Sequence, residues 1–209
     1  AVRAALEVPE GDAARFDELA LAAFRDWVNR CPAYAVYCAS CGIDPARVSS
    51  WLDIPAVPQG AYKTGEWLGT FPRIEAEGWF ETSGTTGTAR GRRYFRRLAD
   101  YEAVCVAGFV REFPEWSRER TTRFLLARES PWEAPHSSLS WMFEFWRKHH
   151  GAAESAWLVR NGALELEPLE AAARDGTPVF AAGTALHWAA ILDRLRAPLP
   201  LHPGSLLLE

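Results

Sequence analysis

The chain has 209 residues, 48% of them hydrophobic and 24% charged, with a formal net charge of −4 at pH 7. That is the composition of a globular protein long enough to bury one sizeable core, and it offers neither a basic field for nucleic acid nor an apolar run of membrane-spanning length. Ala1 to Glu10 lacks the basic and apolar regions of a secretory leader, so a cytoplasmic location is expected.

In chain order, Asp12 is placed to cap a helix whose apolar positions Phe16, Leu19, Ala23 and Trp27 recur at helical spacing, with Pro32 beyond its end. Tyr34 to Cys41 reads as a second, apolar helical stretch, and Asp44-Pro45 as the cap and first turn of a short helix. Asp53 to Tyr62 carries Pro55 and Pro58 and is expected to be extended. Residues 78 to 82 read as a short strand running into a glycine-rich turn. Arg92 to Arg97 reads as the strand returning from it, which makes a hairpin.

After the hairpin the pattern alternates. Leu98 to Phe113 is helical, Thr122 to Ala127 a strand, Ser138 to His149 a helix, and Ser155 to Arg160 a strand. Pro168 to Arg174 is helical, Pro178 to Ala182 a strand, Ala185 to Leu195 a helix, and Ser205 to Leu208 a strand. Strands alternating with helices predict an α/β fold with a largely parallel sheet and flanking helices, preceded by a helical N-terminal segment. The expected organisation is a helical segment over 1–50 and an α/β region over 51–209.

Four cysteines are present. Cys38 and Cys41 have the C-x-x-C spacing of zinc and redox sites. Zinc needs two further ligands, and beyond Cys31 none is evident nearby; a thioredoxin-type pair starts a helix, whereas this one ends a helical stretch before Gly42. Buried or half-buried free thiols are the expected reading, and no metal site is expected. Of the 23 basic residues only Lys63 and Lys148 are lysines, which restricts where a catalytic lysine can lie. His149 and His150 read as a helix C-terminus ending at Gly151, where positive charge is favourable. Being adjacent, they do not share a helix face and are not a metal pair. His187 and His202 show no evident partners.

The most informative stretch is Thr82-Ser-Gly-Thr-Thr-Gly87. Gly84 and Gly87 permit positive φ and close approach to a ligand, and successive backbone N–H groups in such a turn form an anion nest. Ser83, Thr85 and Thr86 add hydroxyl donors. The run lacks the terminal Gly-Lys-Ser/Thr of the Walker loop, since Thr88 and Ala89 follow. The pentamer Ser-Gly-Thr-Thr-Gly arises by chance in on the order of one in several thousand chains of this length, so a phosphate grip is favoured over an ordinary polar turn.

Together, Asp53-Ile-Pro-Ala-Val-Pro58, Tyr62-Lys63 and Phe80-Glu-Thr-Ser-Gly-Thr-Thr-Gly87 resemble acyl-protein synthetases, the LuxE-type ligases of the adenylate-forming superfamily. Leu125-Leu-Ala127, Ser137-Ser-Leu-Ser-Trp-Met142, Val179-Phe-Ala-Ala-Gly-Thr184 and Pro203 to Glu209 resemble the same family. The likeness spans roughly residues 34 to 209, as an N-terminal portion of the large domain of such enzymes. It implies that a fatty or aryl carboxylic acid reacts with ATP, accompanied by Mg2+, to give an acyl-adenylate, and that the acyl group then moves to a thiol. The acceptor is a cysteine passing acyl to a partner protein in the LuxE-type family, and coenzyme A in aryl-CoA ligases.

On this resemblance, Ser83, Gly84, Thr85, Thr86 and Gly87 hold the ATP phosphates. Arg90 lies where many members carry a lysine and would pair with phosphate oxygens bidentately; the residues alone equally suit a solvated surface arginine beside Arg92 and Arg93. His136 and Ser137 lie where such enzymes approach the acyl carboxylate; the residues alone equally suit a helix entry with a serine cap. Trp141, Phe143, Phe145 and Trp146 suit either an acyl pocket or plain core. No residue is assigned a catalytic role. The adenine-binding Thr-Gly-Gly segment, the ribose-binding acid, the lid with its lysine and the acceptor cysteine are all expected beyond Glu209, so these 209 residues alone are expected to be inactive. A coenzyme A ligase, a biosynthetic relative that stops at the adenylate, and a non-catalytic carboxylic-ligand binder remain alternatives.

Overall fold

The computed structural model describes residues 11–63, 67–82, 90–117 and 121–209. The chain divides into two compact units, Ala1–Val104 and Cys105–Glu209.

The first unit opens with α1 (Ala13–Arg30), capped by Asp12, whose carboxylate accepts the Arg15 N–H at 2.9 Å. Cys31 joins it to α2 (Pro32–Ser40), with Pro32 in the first turn, where its missing N–H leaves no bond unmade. Leu21 and Phe24 of α1 pack with Tyr34 and Cys38 of α2 and with Val48. The Tyr34 hydroxyl donates to the Pro55 carbonyl at 2.8 Å and the Tyr37 hydroxyl to that of Ala56 at 3.1 Å. These two bonds strap the proline-bearing segment onto α2. That segment is free of regular structure only over 55–58, because 3-10 turns occupy Trp51–Asp53 and Gln59–Lys63. The helix expected at Asp44-Pro45 does not form: the Asp44 carboxylate accepts the Ala46 N–H at 3.0 Å, and the chain makes a turn and leaves it. Cys31, Cys38 and Cys105 are buried free thiols, as expected, whereas Cys41 is exposed. Burial pushes the Cys38 thiol above its ordinary value.

Strands β1 (Gly78–Glu81) and β2 (Arg92–Phe95) pair antiparallel, from Gly78 opposite Phe95 to Glu81 opposite Arg92. Phe80 and Phe95 pack on Tyr101 at ring separations of 5.0–5.3 Å. Tyr101 belongs to α3 (Leu98–Glu112), within which the division between units falls.

The second unit is an α/β sheet, the fold class that the alternating pattern predicts. Its strands are β3 (Phe124–Glu129), β4 (Ala156–Arg160), β5 (Ala163–Leu164), β6 (Phe180–Gly183) and β7 (Leu206–Leu208). They lie in the order β5-β4-β3-β6-β7, with β4, β3, β6 and β7 parallel and β5 antiparallel at the edge. The helices are α4 (Ser138–His150), α5 (Glu167–Asp175) and α6 (Ala185–Arg194).

Side chains alternate along β3 and sort these helices onto two faces. Phe124 and Leu126 pack with Phe109, Phe143, Trp146 and Phe180, while Leu125 and Ala127 pack with Leu169, Ala172, Val179 and Ile191. Burial on both faces accounts for the near-continuous apolar runs of β3 and β6. At the end of α4, Gly151 is required by close approach, because an added Cβ would lie 2.3 Å from the Arg147 carbonyl oxygen.

Candidate functional site

In the first unit, β1 and β2 frame the glycine-rich sequence Ser83 to Gly87. The Thr82 N–H donates to the Gly91 carbonyl at 2.9 Å, and the Gly91 N–H donates to Thr82 Oγ1 at 3.0 Å. Residues 83–90 are therefore spanned by a closed hairpin base. Ser83, Gly84, Thr85, Thr86 and Gly87 lie outside the described residues. Gly91 is buried, and an added Cβ would sit 3.3 Å from the Tyr62 carbonyl oxygen, so glycine lets the base of the loop press on the Gln59–Lys63 turn.

Arg90 returns from the loop to Glu81, its Nη1 lying 3.4 Å from Oε2, and Arg92 Nε donates to Glu81 Oε1 at 3.0 Å. Burial opposes ionisation of Glu81, but the hydrogen bonds from Arg92 and Arg90 outweigh it and hold the carboxyl below its usual range. The Arg90 side chain is 64% exposed, so its guanidinium keeps donors open to solvent or ligand.

In the second unit the strand order creates a switch point. From β3 the chain crosses to β4 on one side, and later strands β6 and β7 lie on the other. Connections diverging from adjacent parallel strands open a crevice at their carboxyl ends, where α/β folds bind ligands. The residues at these ends are Arg128 and Glu129 on β3, Gly183 on β6 and Thr184 at the N-cap of α6. Gly183 keeps the strands close there, since an added Cβ would meet the Ala127 Cβ at 2.7 Å.

The predicted pair His136 and Ser137 lies in the connection from β3 to α4. Ser137 is the N-cap of α4, its Oγ accepting the Ser140 N–H at 3.1 Å. Arg128 Nε donates to the hydroxyls of Ser137 and Ser140, both at 3.1 Å. Ser137 thus fixes the helix entry and anchors Arg128, the role its position as a cap suggested. His136 precedes it, half-buried. The loop is held further down by Glu133, which accepts the Asn161 N–H at 2.6 Å and the Ser130 hydroxyl at 3.0 Å; these bonds lower its carboxyl below the usual range.

His187 is not without partners, contrary to the reading from sequence. Its Nδ1 lies 2.7 Å from Thr184 Oγ1 and its Nε2 lies 3.9 Å from Glu129 Oε2. Burial depresses its basicity, with Glu129 opposing and Arg128 adding to that effect, so the imidazole sits below its ordinary value. His202 also has a partner, accepting the Gly204 N–H at 3.0 Å in a turn.

A cavity of about 300 Å³ opens at this carboxyl edge, lined by Leu139, Met142, Phe143, Gly183, Thr184, Ala185, Leu208 and Glu209. Phe143 both lines it and belongs to the buried core with Trp146; Phe145 is buried and Trp141 half-buried. The arrangement suits an apolar group bearing a polar head. Sequence reasoning missed Arg128, Glu129 and Thr184. The available signal was their place immediately after the apolar runs Phe124–Ala127 and Phe180–Gly183, where strands hand over to loops.

The loop with Arg90 belongs to the first unit, and His136 and Ser137 to the second. No described helix is long and apolar enough to cross a membrane. No known family model, curated protein or solved structure matches the chain.

Proposed function

We propose that this protein activates a fatty or aryl carboxylic acid with ATP as an acyl-adenylate and passes the acyl group to a thiol, as LuxE-type acyl-protein synthetases do. The observation that carries this reading is the closed hairpin base at Thr82 and Gly91, which frames Ser-Gly-Thr-Thr-Gly between two paired strands with Arg90 at its exit. A carboxylate oxygen attacks the α-phosphorus of ATP, the α–β phosphoanhydride bond breaks, and pyrophosphate leaves. A thiolate then attacks the acyl carbonyl, and AMP leaves with the electron pair.

In this reading the backbone N–H groups and hydroxyls of residues 83–87 stabilise charge developing on the β and γ phosphates, and Arg90 supplies a mobile counter-charge. The cavity at the sheet edge takes the acyl chain, and His136, in the connection from β3 to α4, approaches the carboxylate. Mg2+ enters as the companion of the triphosphate. Glu81, the described carboxylate beside the loop in sequence, is already held by Arg90 and Arg92, and magnesium draws most of its ligands from phosphates and water. The acceptor is a cysteine of a protein or coenzyme A. A reducing, cytoplasmic setting fits the buried free thiols Cys31, Cys38 and Cys105.

Trapping tests the reading. The natural full-length protein, incubated with ATP, Mg2+, hydroxylamine and a panel of fatty and aryl acids, is expected to form a hydroxamate with at least one acid class and only when ATP is present. Absence of hydroxamate across the panel overturns it.

A further inference from the structure

A cavity of about 250 Å³ lies within the first unit, and its described lining carries five cations, Lys63, Arg73, Arg90, Arg92 and Arg93, and no carboxylate. Arg90 and Arg92 are paired with Glu81, so the uncompensated positive charge of this cavity rests on Arg73 and Arg93. Cations gathered in one cavity repel each other, and a multiply charged anion relieves that repulsion.

The arginines are held in place by aromatic rings. The Arg73 guanidinium carbon lies 4.7 Å from the Tyr94 ring centroid and 5.6 Å from that of Trp67, and Arg73 Nη2 donates to the Tyr94 hydroxyl at 2.6 Å. Trp67 is itself fixed, its Nε1 donating to the Phe71 carbonyl at 2.8 Å. The Arg93 guanidinium lies 4.8 Å from the Tyr62 ring centroid. Stacking on a ring face leaves the in-plane N–H fork of a guanidinium directed outward, the geometry that meets phosphate oxygens in pairs. It also occupies a face of each ring, and these aromatics act as supports for the arginines.

We infer that this cavity binds a diphosphate group through Arg73 and Arg93. Two linked phosphates match two fixed guanidiniums in a small volume better than one phosphate does. Free pyrophosphate and the diphosphate bridge of a nucleotide-bearing thiol such as coenzyme A share this chemistry. The cavity shares Arg90 with the adenylation reading, but the inference does not rest on that reading, because Arg73 and Arg93 take no part in it.

The test is a titration of the chain, without ATP or acid, followed by calorimetry and by the Nε–H NMR signals of Arg73 and Arg93. Pyrophosphate is expected to shift both signals saturably and to bind about tenfold or more tightly than orthophosphate, reflecting the added charge-assisted bonds. The double variant Arg73→Gln, Arg93→Gln should weaken pyrophosphate binding by about tenfold or more, while Arg111→Gln, in the second unit, leaves it unchanged. Circular dichroism checks the double variant; should it lose its fold, Arg73→Lys and Arg93→Lys, which keep charge but lose the fork, are expected to weaken binding singly. Coenzyme A shifting the same two signals assigns the diphosphate bridge, and silence with coenzyme A assigns free pyrophosphate. The inference is overturned if neither signal moves at saturating pyrophosphate, or if a single-stranded oligoribonucleotide displaces pyrophosphate from them.

Discussion

The β1–β2 hairpin and the five-stranded sheet are both sheet structures, yet different physics holds them. In the parallel sheet the side chains of Phe124, Leu125, Leu126, Phe180 and Ala181 are wholly removed from water. The hairpin buries Phe80 against Phe95 and Tyr101 on one side, and its other prominent contacts are ion pairs and guanidinium–ring stacks at or near the surface: Arg92 on Glu81 and Trp79, Arg73 on Tyr94, Arg93 on Tyr62. Burial of apolar area dominates stability, while exposed ion pairs contribute little to it. A region whose polar contacts contribute so little to folding is free to spend its charges on a ligand. Substitutions in the sheet should therefore act on stability, and substitutions of the hairpin's polar residues on binding.

The largest effect that would break this contrast lies at Phe180. Its ring meets those of Phe109, Phe113, Trp116, Phe124 and Trp146 at 5.0–6.1 Å. Phe180→Ala should cost about 3–5 kcal/mol in denaturant unfolding, the range for a truncated core aromatic. A loss no greater than that of a surface change would show that the sheet is not the stability core.

Next comes the loop. Thr85→Ala or Thr86→Ala in the full-length protein should lower adenylate formation by about one to three orders of magnitude without moving the melting temperature. At the strand ends, Gly183→Ala forces a Cβ to within 2.7 Å of that of Ala127 and should destabilise by about 1–3 kcal/mol. The smallest change is Glu81→Gln, which removes the pairs of a partly buried carboxylate with two exposed arginines; it should alter stability by about 1 kcal/mol, and less at high salt.

Acid sharpens the contrast from another side. His150 stacks on Phe109 at 5.2 Å, and burial, with His149 adding, holds its imidazole below the ordinary value of 6.5. His187 is lowered as well, chiefly by burial. Groups lowered on folding bind fewer protons in the native state than in the unfolded chain. Their contribution is therefore complete above 6.5 and is lost as pH falls from there towards their folded values. Unfolding midpoints measured between neutral and mildly acidic pH should fall on acidification, and less so in His150→Phe, which keeps the ring contact without the proton.

Much of this was legible in the chain. The helix and strand runs from Leu98 onward fall within a residue or two of the structure, because buried apolar runs and capping residues such as Asp12 and Ser137 act locally. The short hairpin joining β4 to β5 went unread, although Asn161-Gly162, with φ of 51° and 72°, is the sequence such a turn demands. The 3-10 turn Gln59–Lys63 and the turn at Asp44 were not legible, since tertiary contacts decide such short segments. The hairpin base was visible in sequence, but the company kept by its arginines was not. Arg73 and Tyr94 are 21 residues apart, and Arg93 and Tyr62 are 31 apart, so only folding brings them together. The same holds for His187, in the first turn of α6, and Glu129, at the end of β3, which are 58 residues apart.

The most direct test of the account is the exchange of labelled pyrophosphate into ATP by the natural full-length protein. The account expects exchange that requires a fatty or aryl acid and that falls by about one to three orders of magnitude in both Thr85→Ala and Thr86→Ala. Acid-dependent exchange that is undiminished in both variants would contradict the claim that the hairpin loop grips the phosphates of ATP.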